Sequence, residues 1–81
     1  MFIHVQDAHY VKNFTVWVSF DDGIEGTINL KDFLKGQIFE PLQDVKVFKE
    51  VFYDPTTGTI CWPNGADFAP EFLRKHIVLK E

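Results

Sequence analysis

The sequence contains one cysteine, no long apolar run and few cations, and each shortage excludes a class of protein. A single cysteine, Cys61, cannot form an intramolecular disulfide, which excludes a small secreted scaffold held together by such bridges. No apolar run approaches the roughly 20 residues that span a bilayer, and the first residues lack the basic and apolar stretches of a signal peptide. We therefore expect a cytoplasmic protein with no membrane role.

Positive charge is also scarce. Eight Lys and Arg stand against twelve Asp and Glu, so the formal net charge is −4. A protein that binds nucleic acid usually presents a basic face to the phosphates, so we expect no direct binding of nucleic acid. The cations Arg74 and Lys75 fall near the end of a predicted helix, where they complement the dipole of its C-terminus.

Motifs of catalysis and of metal binding are missing from the sequence. It has no Gly-rich phosphate loop, no Ser nucleophile elbow and no carboxylate pair at a catalytic spacing. His4 and His9 fall on opposite faces of a predicted strand unless a bulge intervenes, and Cys61 has no second thiol at the spacing of a zinc finger. We expect no enzymatic activity, no metal site and no cofactor.

Aromatic side chains are present in excess. Nine Phe, two Trp and two Tyr make up 16% of the 81 residues, and each such side chain can bury about 150 to 250 Å². We expect residues 1–81 to form one domain, whose core is too small to hide this much apolar surface readily. The excess, together with open sheet edges, predicts association with a small protein partner and favours a homodimer over a monomer.

Alternation of apolar and polar residues predicts the first hairpin and its register. Residues 14–20 form the clearest strand, preceded by a strand over residues 3–10 with a bulge near Asp7. A two-residue turn formed by Asp22 and Gly23 would place Phe20 opposite Glu25. A three-residue loop ending at Gly23 instead keeps all apolar side chains on one face. That register leaves Trp17 on the reverse face, either exposed or covered by a second layer or an interface.

The remaining pattern predicts short helical segments around a second hairpin. The predicted elements are a helix at 29–35, a loop or turn at 38–42, a turn at 45–48 capped by Asp44, strands at 49–53 and 59–62, and a helix at 70–76. The fold class is therefore α+β: a small single domain with two antiparallel hairpins, about five strands, and two or three short helices, the last of them C-terminal.

The segment from Trp62 to Leu73 is the most informative in the chain. Pro63, Asn64 and Gly65 are typical of a tight turn, Asp67 can cap a helix, and Pro70 suits a first helical turn. These features explain the segment by its backbone alone. Within it we nominate Trp62 and Asp67 as binding residues, to which Trp17 is added as a third.

The sequence resembles the bacterial family of domain of unknown function 2442. The resemblance rests mainly on Phe-Asp-Asp-Gly at residues 20–23, Leu-Gln-Asp at 42–44 and Trp-Pro-Asn-Gly-Ala-Asp at 62–67. It implies a fold like the N-terminal domain of a bacterial protein that carries a helix-turn-helix, and we expect the helix-turn-helix itself to be absent here. It also implies a neighbouring gene for a small protein, in an arrangement similar to a toxin-antitoxin operon with this family as the antitoxin.

Two functions follow as expectations. The leading one is a non-enzymatic module for protein-protein interaction, the antitoxin-like partner of a small neighbouring protein. The alternative is a regulatory domain that binds a small ligand or a metal, with Trp17, Trp62 and Asp67 around a shallow pocket.

Overall fold

The computed structural model describes residues 3–79 and confirms the α+β class. It has six short strands, two α-helices and two 3-10 turns. The strands are β1 Val5–Lys12, β2 Thr15–Phe20, β3 Glu25–Asn29, β4 Phe52–Asp54, β5 Thr59–Cys61 and β6 Val78–Leu79. The helices are α1 Val45–Phe48 and α2 Pro70–His76, and the 3-10 turns are Lys31–Phe33 and Glu40–Gln43.

All strands pair antiparallel, in two sheets. The larger sheet has the order β1-β2-β3-β6, and β4 pairs with β5 in the smaller sheet. The second hairpin is tied to the larger sheet where the Val5 N–H donates to the Gly58 carbonyl at 2.9 Å. Strand β6 is an addition to the predicted elements, since two residues directly after a helix carry no readable alternation.

The predicted register between β2 and β3 is confirmed. Val18 pairs with Gly26 and Val16 with Ile28, and the Phe20 N–H donates to the Ile24 carbonyl at 2.8 Å. Gly23 has φ 88° in the loop between them, a left-handed conformation that glycine adopts without steric cost. The three-residue loop therefore places the apolar residues of both strands on the same face.

Strand β1 begins two residues later than predicted and contains two bulges. Its register against β2 shifts between Val5 and Asp7 and again between Tyr10 and Lys12. The first shift lies close to the predicted bulge. Because each bulge restores the alternation, Val5 stays fully buried while Tyr10 packs against the edge of the core.

Of the helical segments in the middle of the chain, the one predicted at 29–35 is shorter than expected, and α1 has its predicted cap. The predicted helix at 29–35 is reduced to the 3-10 turn Lys31–Phe33, where Asn29 Oδ1 accepts the Lys31 N–H at 3.0 Å. The turn ends where the backbone leaves helical geometry at Leu34, whose side chain is fully buried. The cap of α1 is confirmed: the Asp44 carboxylate accepts the Lys46 N–H at 3.0 Å.

Helix α2 has the predicted bounds but a different cap. Its N-cap residue is Ala69, which offers no side-chain hydrogen bond, so the prediction that Asp67 caps this helix was wrong. Asp67 instead pairs through its backbone with Cys61 in an isolated bridge. Pro70 at the first turn needs no N–H partner there, which suits a helix without a polar cap.

Helix α2 is tied to the β2–β3 loop by an ion pair. Arg74 Nε lies 3.2 Å from Asp22 Oδ2, across 52 residues of sequence. The Ile24 N–H, which donates to Asp22 Oδ1 at 3.1 Å, and this guanidinium hold the pKa of Asp22 below its usual value.

The core is centred on Trp62, which is 2% exposed. Its indole Nε1–H donates to the Phe48 carbonyl at 2.8 Å, and the two rings lie 5.5 Å apart. Other fully buried side chains come from both sheets, the turns and α2: Val5, Val16, Val18, Phe20, Ile28, Leu30, Leu34, Leu42, Ile60 and Leu73.

We predict that Trp62→Phe lowers the free energy of unfolding by about 1–3 kcal/mol. The variant loses a buried hydrogen bond worth about 1 kcal/mol and leaves part of the indole volume empty. Trp17→Phe is the matched control and should change stability by no more than about 0.5 kcal/mol, because its ring is half-buried and lies outside the core. Urea unfolding measures both, and equal losses in the two variants would contradict this assignment of the core.

We also predict that Gly26→Ala detaches β6. A Cβ at Gly26 would collide with the Val78 carbonyl group across the β3–β6 pair, while the backbone torsion of Gly26 is open to alanine. Hydrogen exchange of the Val78 and Leu79 amides should therefore accelerate. Thr27→Ala adds no atom at this contact and is the control. Unchanged exchange in Gly26→Ala would show that β6 does not pair this closely.

Candidate functional site

Trp17 lies on the outer face of the larger sheet, opposite the core. Its neighbours Val16 and Val18 are fully buried, and side chains alternate along a strand, so Trp17 points away from them. Its ring stacks on His9, with 4.8 Å between ring centroids and 22° between ring planes. The predicted position on the reverse face is thus confirmed.

The outer face consists of three rows of residues that lie across the strands in register. The central row crosses all four strands and ends at Val78, which is 67% exposed. Its members are His9, Trp17, Thr27 and Val78; one flanking row holds Asp7, Ser19 and Glu25, and the other Lys12, Thr15 and Asn29. An aromatic and apolar centre is therefore flanked by polar residues, as in a protein interface.

The structure does not bring the three nominated residues together. Trp17 lies on the outer face, Trp62 is in the core, and Asp67 is exposed in the loop before α2. Two adjoining open depressions, of about 470 and 530 Å³, are lined by none of the three. A binding role for Trp17, Trp62 and Asp67 remains a prediction, and the burial of Trp62 supports a structural role for that residue.

The turn after Trp62 is held by Asn64. Its Oδ1 accepts the Ala66 N–H at 3.0 Å, and its Nδ2 donates to the Ile38 carbonyl at 3.0 Å. Gly65 has φ 92°, which favours glycine. The Asn-Gly pair therefore closes the turn and ties it to the loop before Glu40–Gln43.

A second surface, which we call the aromatic ridge, consists of the rings of Phe39, Phe33, Phe72 and His76 together with Ile38, which precedes Phe39 in the chain. The Phe72 ring lies 4.9 Å from that of Phe33 and 4.5 Å from that of His76. Phe39 joins the ridge through the nearly buried Phe68, at ring distances of 4.9 Å to Phe39 and 5.3 Å to Phe72. The three phenylalanines Phe33, Phe39 and Phe72 are half-buried, and Ile38 is 46% exposed.

The aromatic ridge was not predicted from the sequence, although the sequence carries one signal of it. Phe72 and His76 are four residues apart in the predicted helix at 70–76, which places their rings on one side of it, and Phe68 precedes Phe72 by four residues. The contribution of Phe33 and Phe39 carried no such signal, because these residues reach these rings only through tertiary packing.

The two depressions share Phe14, Lys31 and Gln43. The Lys31 ammonium lies 6.0 Å from the centre of the Phe14 ring, and Gln43 Nε2 donates to the Leu34 carbonyl at 2.7 Å. Lys35 adds a second cation to the smaller depression. Carboxylates also line the depressions, Asp32 in the smaller and Asp44 in the larger, so the two ammonium groups are the part of the lining that suits a small anionic ligand.

Residues 3–79 contain no cluster of three His, Cys, Asp or Glu side chains arranged to hold a metal ion. Within the same residues, no helix has the length and apolar character needed to cross a membrane. His4 instead contacts Asp21, with 3.4 Å between Nδ1 and Oδ2, while His9 stacks on Trp17.

No curated protein matches the sequence. A crystal structure of a protein from Nitrosomonas europaea ATCC 19718, one proposed to bind DNA, is similar in fold, with a TM-score of 0.81 at 15% identity. The likeness covers 95% of this chain and 50% of that protein, so the chain spans about half its length. A match at this identity shows the fold alone.

The family model for a protein of unknown function, DUF2442, matches residues 5–78. The match includes the hairpin loop at residues 20–23 and the turn at 62–67 on which the resemblance rested. The chain therefore belongs to the DUF2442 family.

Proposed function

We propose that the chain is a non-enzymatic module for protein-protein interaction and that the aromatic ridge is its partner-binding surface. The observation that carries the proposal is the unbroken series of ring contacts from Trp62 in the core, through Phe68, to Phe72 and Phe33 at the surface. Aromatic residues anchored in this way dominate the binding energy of many interfaces.

The aromatic ridge is held in place before any partner arrives. Phe68, on which Phe39 and Phe72 rest, is 8% exposed, and its carbonyl accepts a hydrogen bond from the buried Thr59 hydroxyl. Leu73, beside Phe72, is fully buried and fixes α2 to the core. Side chains that are already ordered lose little conformational freedom on binding, which favours association.

The partner that the family resemblance implies is a small protein encoded by the neighbouring gene, with this chain as its antitoxin-like counterpart. The net charge of −4 favours a partner of positive charge, because opposite charges accelerate encounter. The proposal needs no catalytic residue and no cofactor.

Co-expression of the chain with the product of its neighbouring gene tests this proposal. We predict that the two proteins co-purify and that the chain relieves growth inhibition by that product. Ile38→Lys should weaken the complex at least about tenfold, because it places a charge on the aromatic ridge. Val11→Lys is the matched control, since Val11 is 43% exposed but lies on β1. Neither co-purification nor relief of growth inhibition with the unaltered chain would refute the pairing.

The two depressions support a second candidate function, a regulatory domain that binds a small anionic ligand. Their volumes, about 470 and 530 Å³, lie within the range of small-molecule sites. The fold shared with a protein proposed to bind DNA, of which this chain matches half, suits a regulatory domain attached to other domains.

Thermal unfolding with a panel of anionic metabolites and divalent metals tests this second function. A compound at 100 times its dissociation constant should stabilise the chain by about 2.7 kcal/mol. Lys31→Gln should abolish the stabilisation, whereas Lys49→Gln, an exposed lysine outside the depressions, should leave it unchanged. Absence of any shift across the panel would count against a ligand site.

A further inference from the structure

We infer that the outer face of the larger sheet binds a second copy of this chain, with a two-fold axis running along the central row. In this arrangement each of the four central residues faces the same residue of the partner copy, so that Trp17 lies opposite Trp17. The inference does not depend on the proposed function, because the outer face and the aromatic ridge have no residue in common.

The residues of the outer face resemble those of a protein-protein interface more than those of a solvent-exposed sheet face. Antiparallel sheets often leave one face to water, but such faces usually carry polar residues. Here the centre of the face holds an indole stacked on an imidazole, and the row ends at the highly exposed Val78. A large aromatic residue at the centre of a sheet face, with threonines beside it, is typical of a contact between two sheets.

The charges on the flanking rows favour a second copy of the chain as the partner that binds the outer face. Exposed Asp7 lies in one flanking row and exposed Lys12 in the other, about two residues on either side of the central row. A two-fold axis along the central row reverses the strand direction, so Asp7 of each copy faces Lys12 of the other. An axis parallel to the strands through Trp17 would instead set Asp7 of one copy against Glu25 of the other, which places like charges together.

Pairing through the edge of β1 is less favourable than pairing through the face. The two bulges in β1 interrupt the regular row of backbone groups that another strand would need. Strand β6 offers only two residues at the opposite edge. Because the β6 edge is short and the β1 edge is irregular, we expect self-association through the outer face of the larger sheet.

The size of the outer face sets the expected affinity. Four strands spaced about 4.8 Å apart and about five residues along β2 give a face of roughly 300 Å², against about 800 Å² per partner in a standard interface. The dimer should therefore be weak and visible only at high concentration. This expectation determines the concentration range of the experiment.

Sedimentation equilibrium of the full chain, from about 10 μM to about 1 mM, tests the inference. We expect a reversible monomer-dimer equilibrium in that range. Trp17→Thr should raise the dissociation constant at least about tenfold. Ile38→Lys, on the aromatic ridge, should leave it unchanged. A chain that stays monomeric throughout, or a dimer insensitive to Trp17→Thr, would overturn the inference.

Charge reversal tests the axis separately. Lys12→Asp and Asp7→Lys should each weaken the dimer, because each places like charges opposite one another. The double variant should restore the affinity of the original chain, since it rebuilds the pair with its signs exchanged. Failure of the double variant to recover would overturn the two-fold arrangement, and circular dichroism of every variant checks that the fold is retained.

Discussion

The register of the β2–β3 hairpin is the constraint on which the other features of the molecule depend. With Gly23 in a left-handed conformation, the three-residue loop sets Val16 against Ile28 and Val18 against Gly26. This pairing decides which side chains of the two strands enter the core. A shift by one residue would move Trp17 into the core and expose Val16 and Val18, because successive side chains point to opposite faces.

The core and the two surfaces follow from this register. The buried face of the sheet receives Trp62, whose indole is fixed by the Phe48 carbonyl. Phe68 packs at the edge of this core, where its ring contacts Trp62 on one side and Phe72 of the aromatic ridge on the other. Trp17 remains on the opposite side of the same sheet, so the two tryptophans of the chain perform different tasks. Trp62 stabilises the fold, and Trp17 lies on the face that we infer binds a second copy of the chain.

Much of the fold could be predicted from the sequence because the relevant signals are local. Apolar and polar residues alternate regularly along β2. Asp44 caps α1, and Pro70 marks the first turn of α2. The misses have tertiary causes. Leu34 leaves helical geometry where it is buried, Ala69 occupies the cap position expected for Asp67, and β6 pairs where the backbone of Val78 comes close to Gly26.

The candidate surfaces were less accessible to prediction than the fold. An aromatic residue in a strand looks the same in sequence whether it is buried or exposed. Alternation identified the position of Trp17, but Trp62 ends a strand at a turn, where no alternation continues. The aromatic ridge joins Phe33 to Phe72, which are far apart in sequence, and only the packing of α2 brings their rings to 4.9 Å.

The opposite roles of the two tryptophans are tested most directly by NMR of their indole N–H groups. The account predicts that the Trp62 indole proton exchanges slowly with solvent and keeps its chemical shift on dilution. The Trp17 indole proton should exchange quickly in dilute solution and shift as concentration rises. A Trp62 indole that exchanges freely, or a Trp17 indole that is protected and indifferent to concentration, would contradict the account.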